Sequence, residues 1–240
     1  MSWWLYGIAL LVGLAFVHPM IWKRTRFLTT LVHESGHALV GTLTGGQLVG
    51  VVVRSDSSGE TVTKHYKGFT AALFSRLPTL MAGYPAPAFF GAFGLILAIE
   101  GHANAGWLVL GLLGLLCLLF ARSFFTVLIT LPYTLGAVAL IPALEIWKMP
   151  VEISLFFLVV LSMILLAGSI KDMWGLTALV NLGQAEQSDP GFLAKMTVGE
   201  GGVRLWNILL WLATLLSAAL GAWVGIVGGE WVENLLEAIL

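Results

Sequence analysis

The sequence LVHESGHAL at residues 31–39 places the motif HExxH inside an apolar stretch with helical spacing. Residues four apart share one face of a helix, so both imidazoles of the motif can reach a single Zn²⁺. The glutamate follows the first histidine directly, where its carboxylate can act as a general base on a water at the metal. The stretch therefore predicts a helix that binds zinc through His33 and His37 and uses Glu34 as the base.

The composition around this motif is typical of a membrane protein with several spans. Of the 240 residues, 58% are hydrophobic and only 10% are charged, whereas soluble domains are about a quarter charged. The 12 basic and 13 acidic residues nearly cancel, which offers no basic face to nucleic acid. Cys117 is the single cysteine, so a metal site has to use histidines and carboxylates.

Six apolar runs are each long enough to cross a bilayer. They cover residues 3–22, 77–99, 105–121, 124–146, 151–170 and 203–227. The first run has no cleavage site behind it, so residues 1–26 are predicted to be a retained anchor. Because no linker divides the chain, we expect an all-α polytopic fold with one membrane domain over residues 1–240. Its core would occupy residues 27–200, and residues 203–240 would form a last span and tail.

The segment at residues 27–46, which contains HExxH, is rich in polar residues and is predicted to re-enter the membrane without crossing it. Lys and Arg accumulate in short cytoplasmic loops. A re-entrant course places 11 of the 12 basic residues in the cytoplasm, all except Lys148. A full crossing would leave only four there, namely Lys23, Arg24, Arg26 and Lys148. The charge distribution thus predicts a site that opens to the cytoplasm, with His33 roughly 10 Å below the surface.

Residues 47–66 follow a different pattern, in which β-branched residues flank the turn cluster SDSSG at residues 55–59. This pattern predicts a β-hairpin. A two-stranded hairpin is marginal alone in water and cannot face lipid with open edges. We therefore expect it to pack on helices or to line a wet cavity.

Two histidines and a water leave one protein ligand of zinc unassigned, and it should be a carboxylate or histidine at similar depth. The predicted topology favours Asp172, which lies at the cytoplasmic end of the span at residues 151–170. Asp189 is the alternative, although a helix cap or a turn explains it equally well. Asp172 is preferred because it combines a carboxylate, the end of a span and the same side of the membrane as His33.

The motif HESGH at residues 33–37, followed by a Gly-rich helix end and a hairpin, resembles the site-2 proteases, and within them a compact bacterial branch. These are zinc metallopeptidases that cut substrates within the membrane. MAGYPAPA at residues 81–88 stands in for the family's Gly-Pro helix, and SIKD at residues 169–172 stands where its Asp-bearing helix is expected. The sequence departs from the family pattern because Met173, not glycine, follows Asp172.

The resemblance implies a zinc intramembrane endopeptidase in the bacterial cytoplasmic membrane, with a transmembrane protein as its substrate. A helical substrate must unwind before it is cut, and the hairpin edge at residues 47–53 is expected to pair with the opened strand. The substrate-binding residues of the chain would include Val49, Val51 and Val53. Tyr84 and Asn181 would donate hydrogen bonds to the transition state. The alternative is a non-catalytic scaffold that binds a membrane partner through the same groove.

Overall fold

A computed structural model describes residues 1–146, 148 and 150–239. Over these residues the structure is mostly helical (78%) and contains one small two-stranded sheet, which confirms the predicted helical fold with a hairpin. The strands are β1 (Gln47–Val53) and β2 (Gly59–Lys64). The helices are α1 (Trp3–Phe16), α2 (Pro19–Leu43), α3 (Phe69–Ala71), α4 (Leu77–Ala82), α5 (Pro85–Glu100), α6 (Ala103–Leu119), α7 (Phe124–Ile146), α8 (Val151–Asn181), α9 (Asp189–Thr197) and α10 (Val203–Ile239).

Among the described residues, three helices are long and apolar enough to cross a membrane, over Phe124–Ile141, Val151–Asn181 and Val203–Gly228. The number rises to five if each of two bent helix pairs forms one span. One pair is α1 with α2, bent by 96°, and the other is Phe69–Ala82 with α5, bent by 61°. Helix α6 is apolar but has only 17 residues. The six-span count and the re-entrant course of α2 therefore stay predictions.

The break between α1 and α2 falls within the first predicted span. His18 adopts φ −58° and ψ 140°, an extended conformation that suits a residue before proline. Pro19 then begins α2, where its missing N–H is not needed. The first apolar run is thus split, and the HExxH motif lies on a helix that turns away from the α1 axis.

The hairpin predicted at residues 47–66 is confirmed, since β1 and β2 pair antiparallel. The outer edge of β1, however, is already occupied by the connection between α6 and α7. Val51 donates its amide to the Phe120 carbonyl at 2.8 Å, and Arg122 donates its own amide to the Val51 carbonyl at 3.0 Å. The Arg122 guanidinium also donates to the Val49 carbonyl. Val53 donates its amide to the side chain of Thr126 in the first turn of α7.

The prediction that a substrate strand binds along Val49, Val51 and Val53 is therefore corrected, because their backbone groups are already paired. In an antiparallel pair of strands, some residues point their N–H and C=O groups away from the partner strand. The residue directly opposite then points its own N–H and C=O groups away as well, toward the other edge of the sheet. Val51 is opposite Thr61, so the backbone N–H and C=O groups of Thr61 point to the outer edge of β2. Within the described residues, that edge has no backbone partner, and it is the edge open to a further strand.

A buried apolar cluster packs α8, α9 and α10 together, close to the HExxH helix. Met173 and Leu176 on α8 pack with residues of α9 and with Trp206 and Leu210 on α10. Tyr84 and Met81 at the α4–α5 break pack against the same cluster. This packing holds α9 beside α4, which in turn contacts the HExxH helix α2.

Candidate metal centre

The two histidines of the motif lie side by side on α2. His33 Nε2 and His37 Nε2 are 3.1 Å apart. His37 Nδ1 lies 2.6 Å from the carbonyl oxygen of Thr79 on α4. A carbonyl only accepts, so this contact places the proton on Nδ1 and leaves the Nε2 lone pair for a metal.

Asp189, the first residue of α9, completes a three-residue group with these histidines. Its Oδ2 lies 3.3 Å from His33 Nε2 and 3.3 Å from His37 Nε2. This oxygen is buried, and the described part of the chain offers it no hydrogen-bond donor. A buried carboxylate oxygen that faces two imidazole nitrogens without receiving a hydrogen bond is costly, which indicates that the site is built to bind a cation.

The geometry of the three ligand atoms fits a zinc ion. Tetrahedral zinc with bonds of about 2.0–2.1 Å needs neighbouring ligand atoms roughly 3.3–3.4 Å apart. The observed separations of 3.1, 3.3 and 3.3 Å are close to this requirement. Two imidazoles and a carboxylate leave one tetrahedral position for water or substrate, which is typical of a catalytic zinc site.

Asp172, the ligand preferred from topology, is not part of this group. Its Oδ1 accepts a hydrogen bond from Arg26 Nε at 2.7 Å, and its Oδ2 accepts one from Thr29 Oγ1 at 2.8 Å. These hydrogen bonds join the first half of α2 to α8. The predicted span ended at residue 170, whereas α8 continues to Asn181, so Asp172 lies within the helix and not at its end.

The carboxylate of Glu34 lies beneath β2. Glu34 is 3% exposed, and Thr61 Oγ1 donates to its Oε2 at 2.6 Å. A Cβ atom added to Gly59 would lie 2.7 Å from Glu34 Cδ, so only glycine permits this approach. The roles of Gly59 and Thr61 were not predicted, because the sequence of the hairpin does not indicate that it covers Glu34.

The α4–α5 break brings Tyr84 to the histidines. The rings of Tyr84 and His33 pack edge to face, with centroids 4.7 Å apart. A Cβ atom on Gly83 would lie 2.6 Å from His33 Nε2, so this position requires glycine. Asn181, the other expected donor, lies at the end of α8 and lines a cavity with residues of α9 and α10.

A family model described as Peptidase M50B-like matches residues 6–222 of the chain. The match extends from α1 into α10 and includes the HExxH motif, the hairpin and Asp189. No curated protein and no solved structure matches the chain.

Proposed function

Because this chain belongs to the Peptidase M50B-like family, we propose that it is a zinc-dependent endopeptidase that cuts membrane-spanning proteins. The family points to a protease, and its members are generally zinc-dependent. The observation that carries the proposal is the group formed by His33 Nε2, His37 Nε2 and Asp189 Oδ2, all within 3.3 Å of one another. We propose these three residues as the zinc ligands.

Zinc in this site would lower the pKa of a bound water and polarise the scissile carbonyl. Glu34 is proposed as the base that takes a proton from the attacking water and passes it to the leaving amine. Thr61 donates to one oxygen of this carboxylate, which leaves the other oxygen to accept the proton. Tyr84 lies against His33 and remains the candidate donor to the substrate carbonyl.

The open edge of β2 is the proposed binding site for an unwound substrate. An extended peptide can add to an exposed strand through backbone hydrogen bonds. The outward backbone groups of β2 include those of Thr61, whose side chain contacts the Glu34 carboxylate. A strand bound at this edge would therefore lie beside the base, which the covered edge of β1 does not allow.

The membrane is the proposed location of the reaction, with the site facing the cytoplasm. The family is membrane-embedded, and several helices are apolar enough to span a bilayer. The distribution of Lys and Arg supports the orientation. We propose the bacterial cytoplasmic membrane as the setting and a transmembrane protein as the substrate.

Elemental analysis of the purified full-length protein tests the metal centre. We expect about one zinc per chain in the wild type and almost none in a His33→Ala, His37→Ala double variant. A His18→Ala, His102→Ala variant, which removes two histidines outside the site, should keep its zinc. Retained stoichiometric zinc in the first variant would overturn the assignment. Binding of a membrane partner without any cleavage by the wild type would favour the scaffold function.

A further inference from the structure

A cavity of about 590 Å³ lies beside α9, between the end of α8 and the start of α10. Its wall includes Asn181, Lys195 and Arg204, together with Glu186 and apolar residues such as Val203. This volume is within the range of small-molecule sites. The proposed cleavage reaction assigns no role to these residues.

The position of the cavity relative to the apolar helices places it at a border of the membrane. One candidate span ends at Asn181 and another begins at Val203, and both residues line the cavity. Large apolar side chains beside it, including Leu182 and Leu205, are exposed. A ligand there would have its polar end among charged groups and an apolar part beside lipid-facing helices.

The two basic side chains of the cavity wall, Lys195 and Arg204, outnumber its one carboxylate, Glu186, and this excess of positive charge favours an anion. Lys195 Nζ donates to the backbone carbonyl of Glu186 at 3.3 Å, which leaves its charge uncompensated by that contact. Among the side chains that the structure describes, no carboxylate forms an ion pair with Lys195 or Arg204. The Asn181 amide can add a neutral donor. Basic pockets between membrane helices on the cytoplasmic side are suited to anionic head groups.

We propose that this cavity binds the phosphate of an anionic phospholipid head group through Lys195 and Arg204. The acyl chains would lie along the exposed apolar residues beside it. A phosphate group could also come from a free anion, so the experiment separates these two sources. The proposal does not depend on zinc binding or on proteolysis.

Native mass spectrometry of the full chain, released from vesicles with equal parts phosphatidylglycerol and phosphatidylcholine, tests the site. We expect the wild type to retain phosphatidylglycerol preferentially. A Lys195→Gln, Arg204→Gln variant should retain it at least about tenfold more weakly, since each basic group near the surface contributes about 1 kcal/mol. A matched Lys67→Gln, Arg76→Gln variant removes one exposed lysine and one exposed arginine outside the cavity and should behave as the wild type.

Inorganic phosphate added to wild type in phosphatidylcholine alone distinguishes the sources of the anion. A lipid site predicts little change in the thermal unfolding midpoint with phosphate and a clear increase with phosphatidylglycerol. Protection by inorganic phosphate without retention of phosphatidylglycerol would overturn the lipid assignment. Equal retention of both lipids by the wild type, or unchanged retention in the cavity variant, would overturn the site itself. The wild-type comparison decides the question even if the cavity variant fails to fold.

Discussion

At the scale of single residues, a change at Glu34 should reduce catalysis without reducing metal binding. Glu34→Gln preserves the shape of the side chain and removes the base. We expect near-stoichiometric zinc and an unchanged fold, while cleavage of a membrane-spanning substrate falls by at least about 10²-fold. Elemental analysis and a cleavage assay measure the two effects. Glu152→Gln, an exposed change in the first turn of α8, is the control. Equal turnover of wild type and Glu34→Gln would exclude the proposed mechanism.

Replacement of Asp189 and of Asp172 by asparagine is expected to have opposite effects on zinc content. Asp189→Asn should lose most of its zinc, because the ligand becomes a neutral amide. Asp172→Asn should keep its zinc but unfold at a lower temperature, because the hydrogen bonds from Arg26 and Thr29 then meet a weaker acceptor. Zinc analysis and thermal unfolding of both variants provide the comparison. Loss of zinc in Asp172→Asn alone would return the third-ligand role to that residue.

The residues of the site differ in how far the sequence could predict them. His33 and His37 are four residues apart on one helix, so local geometry brings them together. Asp189 lies more than 150 positions away and reaches them because Met173 and Leu176 pack on α9 and α10. That packing depends on tertiary contacts, and spacing along the chain contains no information about it. The sequence could therefore propose both aspartates, but the predicted topology favoured Asp172, whereas tertiary packing brings Asp189 to the histidines.

At the scale of elements, the contact between β2 and α2 orients the base. Thr61→Val keeps the branched shape but removes the hydroxyl that donates to Glu34. We expect kcat to fall roughly 10- to 100-fold, since hydrogen bonds to charged groups contribute about 1.5–3 kcal/mol. KM and zinc content should change little. Thr61→Ser retains the donor and should restore most of kcat. If Val and Ser behaved alike, Thr61 would only fill space.

The break between α4 and α5 gives a second prediction at this scale. Gly83→Ala places a methyl group about 2.6 Å from His33 Nε2, so the ring must move and zinc should be lost. Gly175→Ala is a matched change on α8, where an added Cβ meets nothing within 4 Å. It should keep its zinc and be equally or slightly more stable, because alanine favours helix. Equal zinc content in both variants would show that α5 can move away.

The hairpin shows which features of an element its own sequence determines. Alternating β-branched residues and a turn cluster predict two strands, and the structure contains them. Which edge stays open depends on Arg122 and on Thr126 beyond it, whose hydrogen bonds reach β1 from about 70 residues away. Such a contact is invisible to a pattern within the hairpin. The β1 edge, along which a substrate strand was expected, is therefore covered by residues that are distant in the sequence.

At the scale of the whole molecule, bends decide how many helices cross the membrane. An apolar run long enough to span predicts a straight helix, yet the first run is divided at Pro19 and α2 turns by 96°. Hydropathy measures length and composition but not direction, so it cannot distinguish a broken span from a re-entrant segment. The distribution of basic residues supplies the missing orientation, because it depends on loops and not on helix geometry.

Cysteine labelling in intact cells tests this orientation, in a Cys117→Ala background that removes the single native thiol. Ser58 in the hairpin turn and Glu100 at the end of α5 are both exposed, and the charge distribution places them on opposite sides. Ser58→Cys should react only with a membrane-permeant reagent, whereas Glu100→Cys should also react with an impermeant one. Ser57 is unsuitable because it is 7% exposed and has a positive φ.

The reverse labelling pattern would place the hairpin outside the cell, with consequences that differ among the proposals. The zinc ligands and Glu34 would keep their assignments, because they depend on distances within the chain. The strand-binding edge of β2 would then receive substrates from the outer side. The cavity at Lys195 and Arg204 would face the outer leaflet as well. Labelling of both positions by the impermeant reagent would place them on the same side of the membrane, so the chain between them, which includes α4 and α5, would cross it an even number of times or not at all.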